Sequence, residues 1–111
     1  ALSSAASDVY KRQGRYGGEE FLILFSGYTR KQAGKILEGM LTNFRNQEYD
    51  FLPEDVIITF SAGFTYLDNK NMDVEGFIKC ADEALYYSKE HGRNQITYYN
   101  DLRLRDMQVN R

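Results

Sequence analysis

The chain has 111 residues, of which 42% are hydrophobic and 27% charged, with a formal net charge of −2. This length fits one compact unit, and the apolar fraction is too high for an intrinsically disordered chain. The acidic balance and the lack of a Lys/Arg-rich run argue against nucleic-acid binding. The one cysteine, Cys80, excludes an internal disulfide and fits a reducing cytosol. No stretch is apolar enough to span a bilayer. We therefore expect this chain to be cytoplasmic and to make no membrane contact. This expectation also covers a chain that forms the cytoplasmic part of a membrane-anchored sensor.

The first residues, ALSSAASDVYKRQG, are rich in Ser and small side chains. They show neither the apolar periodicity of a helix nor the alternation of a strand. We interpret residues 1–14 as a non-native or disordered leader, derived from a cloning junction or a sequencing or gene-model error, and we exclude residues 1–13 from fold reasoning. A native, flexible, Ser-rich leader is the alternative.

A tight turn leads into an apolar strand in RYGGEEF, residues 15–21. Gly17 and Gly18 take positive φ without steric penalty and allow a ligand close to the backbone. Residues 21–25 are all apolar, which predicts a strand covered on both faces. Glu19 and Glu20 should point to opposite sides, so one faces the site and the other supports it. A carboxylate here suits Mg²⁺, although a bare Gly-Gly-Glu-Glu turn is more often a solvated hairpin.

Two helices are predicted. The first begins at Thr29, whose spacing to Gln32 forms a capping box. The second begins at Asp73, a favourable N-cap, and ends at Gly92. The first helix has an apolar face that indicates packing: Ala33, Ile36, Leu37, Met40, Leu41 and Phe44.

Two further strands are predicted, at residues 56–66 and 95–99. The first alternates between apolar and polar residues, and Gly63 suggests a bulge in it. The order from the Gly-Gly turn onward is therefore β-α-β-α-β. Residues 101–111 show no convincing apolar stripe and are interpreted as a tail.

Two cations, Lys89 and Arg93, lie four residues apart across the end of the second helix. Both can reach a common anion, Lys as a point charge and Arg as a planar fork suited to phosphate oxygens. In isolation, such a pair is more typical of cations that interact favourably with a helix C-terminus. His91, between them, is interpreted as an exposed residue at the helix end.

Four segments occur in a characteristic order: RYGGEEF, then ITFSAG at residues 58–63, ADEALYYSK at 81–89 and GRN at 92–94. Together they resemble the GGDEF domain of bacterial diguanylate cyclases in its GGEEF variant. The resemblance covers about residues 15–99 and reaches only the C-terminal part of such a domain, taken as residues 15–100. It implies an α/β (α+β) fold, a nucleotide-cyclase-like and ferredoxin-related sheet with helices packed on it, lacking the first strand and helices.

The resemblance also implies an activity, the condensation of two GTP to cyclic di-GMP and pyrophosphate in bacterial signalling, with Mg²⁺ or Mn²⁺. It makes Glu19 the catalytic residue and metal ligand, and it gives Glu20 a supporting role. The implied nucleotide-binding residues are Gly17, Gly18, Lys89 and Arg93.

The family's upstream metal-binding aspartate and guanine contacts are absent, so we expect the fragment alone to be inactive. A partial domain leaves a strand edge unpaired, which predicts a homodimer or segment exchange. At the positions of the family's inhibitory Arg-x-x-Asp site the sequence has Asp8 and Lys11, which does not support product inhibition. The alternatives are a non-catalytic GGDEF module that binds GTP or acts as a regulatory or dimerisation partner, and a structural fragment that binds nothing.

Overall fold

The computed structural model describes residues 2–11, 14–16, 20–54, 56–67 and 72–102. Its helices are α1, Arg30–Asn46, and α2, Val74–Glu90. Its strands are β1, Leu2–Lys11, β2, Gly14–Tyr16, β3, Glu20–Leu24, β4, Ile57–Thr65, and β5, Ile96–Tyr98.

The strands form one sheet in the order β2-β1-β4-β5, and β3 also pairs with β1. β1 runs antiparallel to β2, β3 and β4, whereas β4 and β5 are parallel. The predicted fold class is confirmed, as is the β-α-β-α-β order from β3 onward. Neither helix in the described part of the chain is long and apolar enough to cross a membrane.

β1 departs from the sequence expectation, because it lies within residues 1–13, which were excluded from fold reasoning. It pairs with β4 from Leu2 to Tyr10 and, along its other edge, with β3 and then β2. The sequence shows no strand alternation in this stretch, but the structure forms a strand there. Main-chain groups make the pairing, so a Ser- and Ala-rich stretch without apolar alternation forms a strand where two partner edges are available.

α1 begins with the predicted capping box. Thr29 Oγ1 accepts a hydrogen bond from the Gln32 amide at 3.1 Å, and Gln32 Oε1 accepts one from the Thr29 amide at 2.9 Å. The helix buries Ala33, Leu37 and Leu41 of its apolar face against the sheet, whereas Ile36 is 39% exposed. The resulting core consists of Phe25, Ala33, Leu37, Leu41, Phe60, Ala62 and Phe64.

α2 packs on the opposite face of β4, and Gly63 is the point of closest approach. A Cβ at Gly63 would meet main-chain atoms of Ala81, Ala84 and Leu85. The residue pairs in continuous register with β1 and β5, so the suggested bulge is wrong. Gly63 is where a side chain would separate the helix from the strand.

The apolar run of β3 is less covered than predicted. The exposed fractions of Phe21, Leu22 and Leu24 are 51%, 54% and 66%, and Phe25, just beyond the strand, is buried. The prediction of a strand covered on both faces is therefore wrong. Within the described residues β3 pairs only with β1, while both helices pack against β4.

The predicted ends of α2 are confirmed. Asp73 Oδ1 accepts a hydrogen bond from the Gly76 amide at 2.7 Å, and His91 is the C-cap. Gly92 follows with φ of +108°. After β5, residues 99–102 form one helical turn, and the rest of the predicted tail, 103–111, lies outside the described residues.

Candidate functional site

The beginning of β3 and the end of α2 meet at one edge of the sheet. β3 and β4 run in the same direction because both are antiparallel to β1, and Ala6 of β1 pairs with both Glu20 and Ser61. Glu20 is therefore level with Ser61. The Asn94 amide, just after α2, donates a hydrogen bond to Ser61 Oγ at 3.2 Å. The sheet register thus places the start of the acidic strand beside the turn that follows α2.

An ion pair joins these two segments directly. Lys89 Nζ lies 3.0 Å from Glu20 Oε1, across 69 residues of sequence. The side chain of Glu20 is 60% exposed and that of Lys89 is 25% exposed. A pair this open to water contributes about 0–1 kcal/mol, so Lys89 can exchange its carboxylate partner for another anion at little cost.

The turn after α2 has an uncommon backbone. Gly92, Arg93 and Asn94 all have positive φ, at +108°, +61° and +50°. Asn tolerates the left-handed region, but Arg, with an ordinary Cβ, pays a steric penalty there. The Arg93 amide donates to the Ser88 carbonyl at 2.9 Å, which closes the turn onto the helix. The structure therefore holds Arg93 in a left-handed backbone conformation that arginine, as a non-glycine residue, does not favour.

Two neighbours, Arg45 and Gln95, hold this turn from outside. Arg45 donates from Nε to Asn94 Oδ1 at 2.7 Å and from an η nitrogen to the Asn94 carbonyl at 2.8 Å. Gln95 donates to the carbonyls of His91 and Arg93 at 2.7 and 3.1 Å. Sequence reasoning missed both. An Arg in the last turn of a helix carries no signal beyond a favourable charge near the C-terminus.

The sequence-predicted site residues fall into two groups. Gly17, Gly18 and Glu19 lie outside the described residues. Glu20 and Lys89 are paired at the edge of the sheet, and Arg93 lies in the turn beyond α2.

His91, between the two cations, is exposed at the helix end. Its ring stacks on Tyr87 with centroids 3.6 Å apart, and Nδ1 lies 2.9 Å from the Tyr87 carbonyl oxygen. The position agrees with the prediction of a helix-end residue.

The described residues contain no group of three or more His, Cys, Asp or Glu side chains able to hold a metal ion. The predicted site residue with a carboxylate among them is Glu20, whose partner is Lys89. Glu19, the metal ligand that the family resemblance implies, lies outside the described residues.

The geometry defines an α+β domain with an acidic strand and a cation-bearing turn at one edge. The profile of the family described as "Diguanylate cyclase, GGDEF domain" matches residues 1–95. The chain belongs to this GGDEF family. The match includes all of segment 1–14, which we interpreted as a leader.

Curated relatives carry the same family name. The chain is 30% identical over 86 residues to diguanylate cyclase A of Treponema denticola, a match that spans 75% of this chain and 22% of the relative. It is 31% identical over 86 residues to a diguanylate cyclase of Vibrio cholerae, spanning 78% of this chain and 26% of the relative. The chain thus matches about a quarter of the length of these proteins.

Solved structures confirm the fold. The GGDEF domain of DgcB from Caulobacter crescentus, solved in complex with c-di-GMP, superposes with a TM-score of 0.69 at 22% identity. That match covers 88% of this chain and 75% of the other. The active GGEEF domain of a Vibrio cholerae diguanylate cyclase gives a TM-score of 0.67 at 23% identity, covering 88% and 82%.

Proposed function

We propose that the chain is part of a diguanylate cyclase and that the edge between β3 and α2 binds the triphosphate of GTP. In the proposed reaction, the 3′-hydroxyl of one GTP attacks the α-phosphate of another and pyrophosphate leaves. Two such events across a symmetric dimer yield cyclic di-GMP. The observation that carries the proposal is the Glu20–Lys89 ion pair, because it brings the signature strand beside the end of α2.

In this proposal Lys89 and Arg93 bind phosphate oxygens. The Glu20–Lys89 pair is exposed and therefore weak, so an arriving triphosphate can replace the carboxylate as the partner of Lys89. Glu20 then has the supporting role of orienting Lys89 before the nucleotide binds. Arg93 lies four residues beyond Lys89, and its fork suits phosphate geometry. Catalysis of this kind depends mainly on positioning and electrostatics.

The rest of the proposed site rests on family membership. Gly17 and Gly18 let the backbone approach the nucleotide, and Glu19 is the catalytic carboxylate. Mg²⁺ or Mn²⁺, bound through Glu19, would offset the negative charge of the phosphates.

We further propose that this chain alone does not turn over GTP and that it associates through the β3 side. Family members supply a metal-binding aspartate and guanine contacts from the segment before the signature. The exposed apolar residues Phe21, Leu22 and Leu24 support association, because β3 pairs on one side only in the described part of the chain. Cyclic di-GMP made from GTP and Mg²⁺ by this chain without an added partner would refute the inactivity. A monodisperse monomer in light scattering would refute the association.

The experiment that tests the cyclase proposal restores the upstream segment from the parent gene and supplies GTP with Mg²⁺. We expect cyclic di-GMP from the unaltered protein and none from Glu19→Gln. Glu75→Gln is the matched control, since it removes a carboxylate from the opposite end of α2 and should leave the yield unchanged. GTP binding without product would instead support the regulatory module. A folded protein that neither binds nor converts GTP would refute both.

A further inference from the structure

The last turn of α1 carries a single basic residue, Arg45, and its guanidinium is committed to one partner. Nε lies 2.7 Å from Asn94 Oδ1, and an η nitrogen lies 2.8 Å from the Asn94 carbonyl oxygen. We infer that Arg45 is a positioning residue, which fixes the turn 92–94 and thereby the direction in which Arg93 leaves the backbone. The effect of Arg45 on phosphate binding rests on the proposed function. Its effect on the conformation of the turn does not, and it can be measured separately.

The turn needs an external support because its backbone is unfavourable. Arg93 and Asn94 are consecutive non-glycine residues at positive φ. Such a conformation persists only when neighbouring contacts determine it. Without those contacts, Arg93 relaxes toward negative φ, and its Cα–Cβ bond then points in a different direction relative to Lys89.

Arg45 supports the turn with two short hydrogen bonds from a charged group. The Gln95 amide bonds to carbonyls within four residues of it, and the hydrogen bond from Asn94 N to Ser61 Oγ is comparatively long at 3.2 Å. Arg45 makes two charge-assisted bonds, which are shorter and stronger than neutral ones. It also comes from α1, on the face of the sheet opposite to α2, so it ties the turn to the other helical layer.

The competing explanation is that Arg45 only places a positive charge at the C-terminus of α1. Arg45→Lys separates the two explanations, because lysine keeps the charge but cannot reproduce the two-pronged contact with Asn94. Arg30→Lys is the matched control. It alters another arginine of α1, which bonds to Tyr66 Oη at 2.8 Å and has no contact with the turn in the described structure.

The first test measures amide hydrogen exchange by NMR on the whole 111-residue chain. The reporter is the Arg93 amide, which donates to Ser88 when the turn is closed. We expect Arg45→Lys and Arg45→Gln to speed its exchange by about tenfold, while amides of β4 change much less. Arg30→Lys should leave the reporter unchanged. An unchanged Arg93 amide in Arg45→Lys, or an equal acceleration throughout the protein, would overturn the inference.

A rescue makes the test independent of general destabilisation. Glycine adopts positive φ without penalty, so Arg93→Gly should relieve the backbone strain at this position, and the amide of residue 93 still reports on the closed turn. We expect Arg45→Gln combined with Arg93→Gly to restore slow exchange at residue 93. A double variant as fast as Arg45→Gln would contradict the proposed role of backbone conformation.

Binding of inorganic triphosphate then separates this inference from the proposed function. Arg93→Ala should weaken binding to the chain, and Arg45→Lys should weaken it by a comparable factor of about ten. If Arg93→Ala weakens binding but Arg45→Lys does not, the positioning role is wrong and the phosphate site stands. If the chain does not bind triphosphate, or Arg93→Ala has no effect, the proposed phosphate site is wrong, and hydrogen exchange still decides what Arg45 does.

Discussion

Replacement of Gly63 by alanine tests the packing on which the site depends. The new Cβ would overlap the Ala81 carbonyl oxygen, the Leu85 nitrogen and the Ala84 carbonyl carbon. All three are main-chain atoms of α2, so no side-chain rotation can relieve the overlap. The helix must move away from β4, and the contacts of its buried residues loosen with it.

Overpacking of a core typically costs about 1–3 kcal/mol, occasionally more. We expect the upper end, about 3 kcal/mol, because the obstructing atoms belong to a backbone of which Ala81 and Ala84 are fully buried. Such a loss is a large share of the stability of a small domain, which is about 5–15 kcal/mol. The matched control is Gly39→Ala in α1, where the new Cβ meets nothing within 4 Å. It should stabilise the protein by about 0.5–1 kcal/mol, since alanine favours helix.

Urea unfolding followed by circular dichroism measures both variants. We expect the midpoint of Gly63→Ala to fall by about 1–3 M and that of Gly39→Ala to rise slightly, with unchanged slopes. Equal midpoints for Gly63→Ala and the unaltered protein would refute the close approach of α2 to β4.

Three further predictions follow from other contacts. Burial, reinforced by the Glu38 carboxylate 2.8 Å away, raises the pKa of the Tyr98 hydroxyl well above its usual value, so the folded state keeps a proton that the unfolded state loses above about pH 10. The stability that this shift contributes is fully present below about pH 10 and is lost as the pH rises further. In unfolding curves measured at alkaline pH, Tyr98→Phe should therefore lose less free energy of unfolding with rising pH than the unaltered protein. An identical loss in both proteins would refute the assignment. Glu20→Gln should change the free energy of unfolding by less than about 1 kcal/mol, because its ion pair is exposed, and a larger loss in urea melts would show that the pair is structural. Deletion of residues 1–13 should lower the thermal midpoint and promote aggregation, because the edge of β4 loses its partner, whereas an unchanged midpoint would support the leader interpretation.

Local signals in the sequence predicted the helices well. The capping box at Thr29 and the N-cap Asp73 both form hydrogen bonds with main-chain groups in their own first turn. Gly92 ends α2 through its own positive φ. The residues in each of these contacts lie within four positions of each other, so the local sequence is sufficient to predict them.

The errors concern partners that are distant in sequence. The small side chains of β1 give no alternation, yet the strand lies between β4 on one side and β2 and β3 on the other. The apolar run of β3 indicates burial, but what covers a strand depends on which helices reach it. The sequence suggests a bulge at Gly63, because nothing near this residue in sequence reveals the helix that lies against it.

The sequence by itself determined the family, the order of the elements from β3 onward and the residue types available for phosphate binding. Only the tertiary structure decided how they meet, with Glu20 paired to Lys89 and Arg45 bound to the turn 92–94. Family signatures and helix caps are short-range patterns, so all the residues that form each of them are close together in the sequence. The ion pair and the arginine fork join residues 69 and 49 positions apart, and sheet register and helix packing alone bring such distant groups within hydrogen-bonding distance.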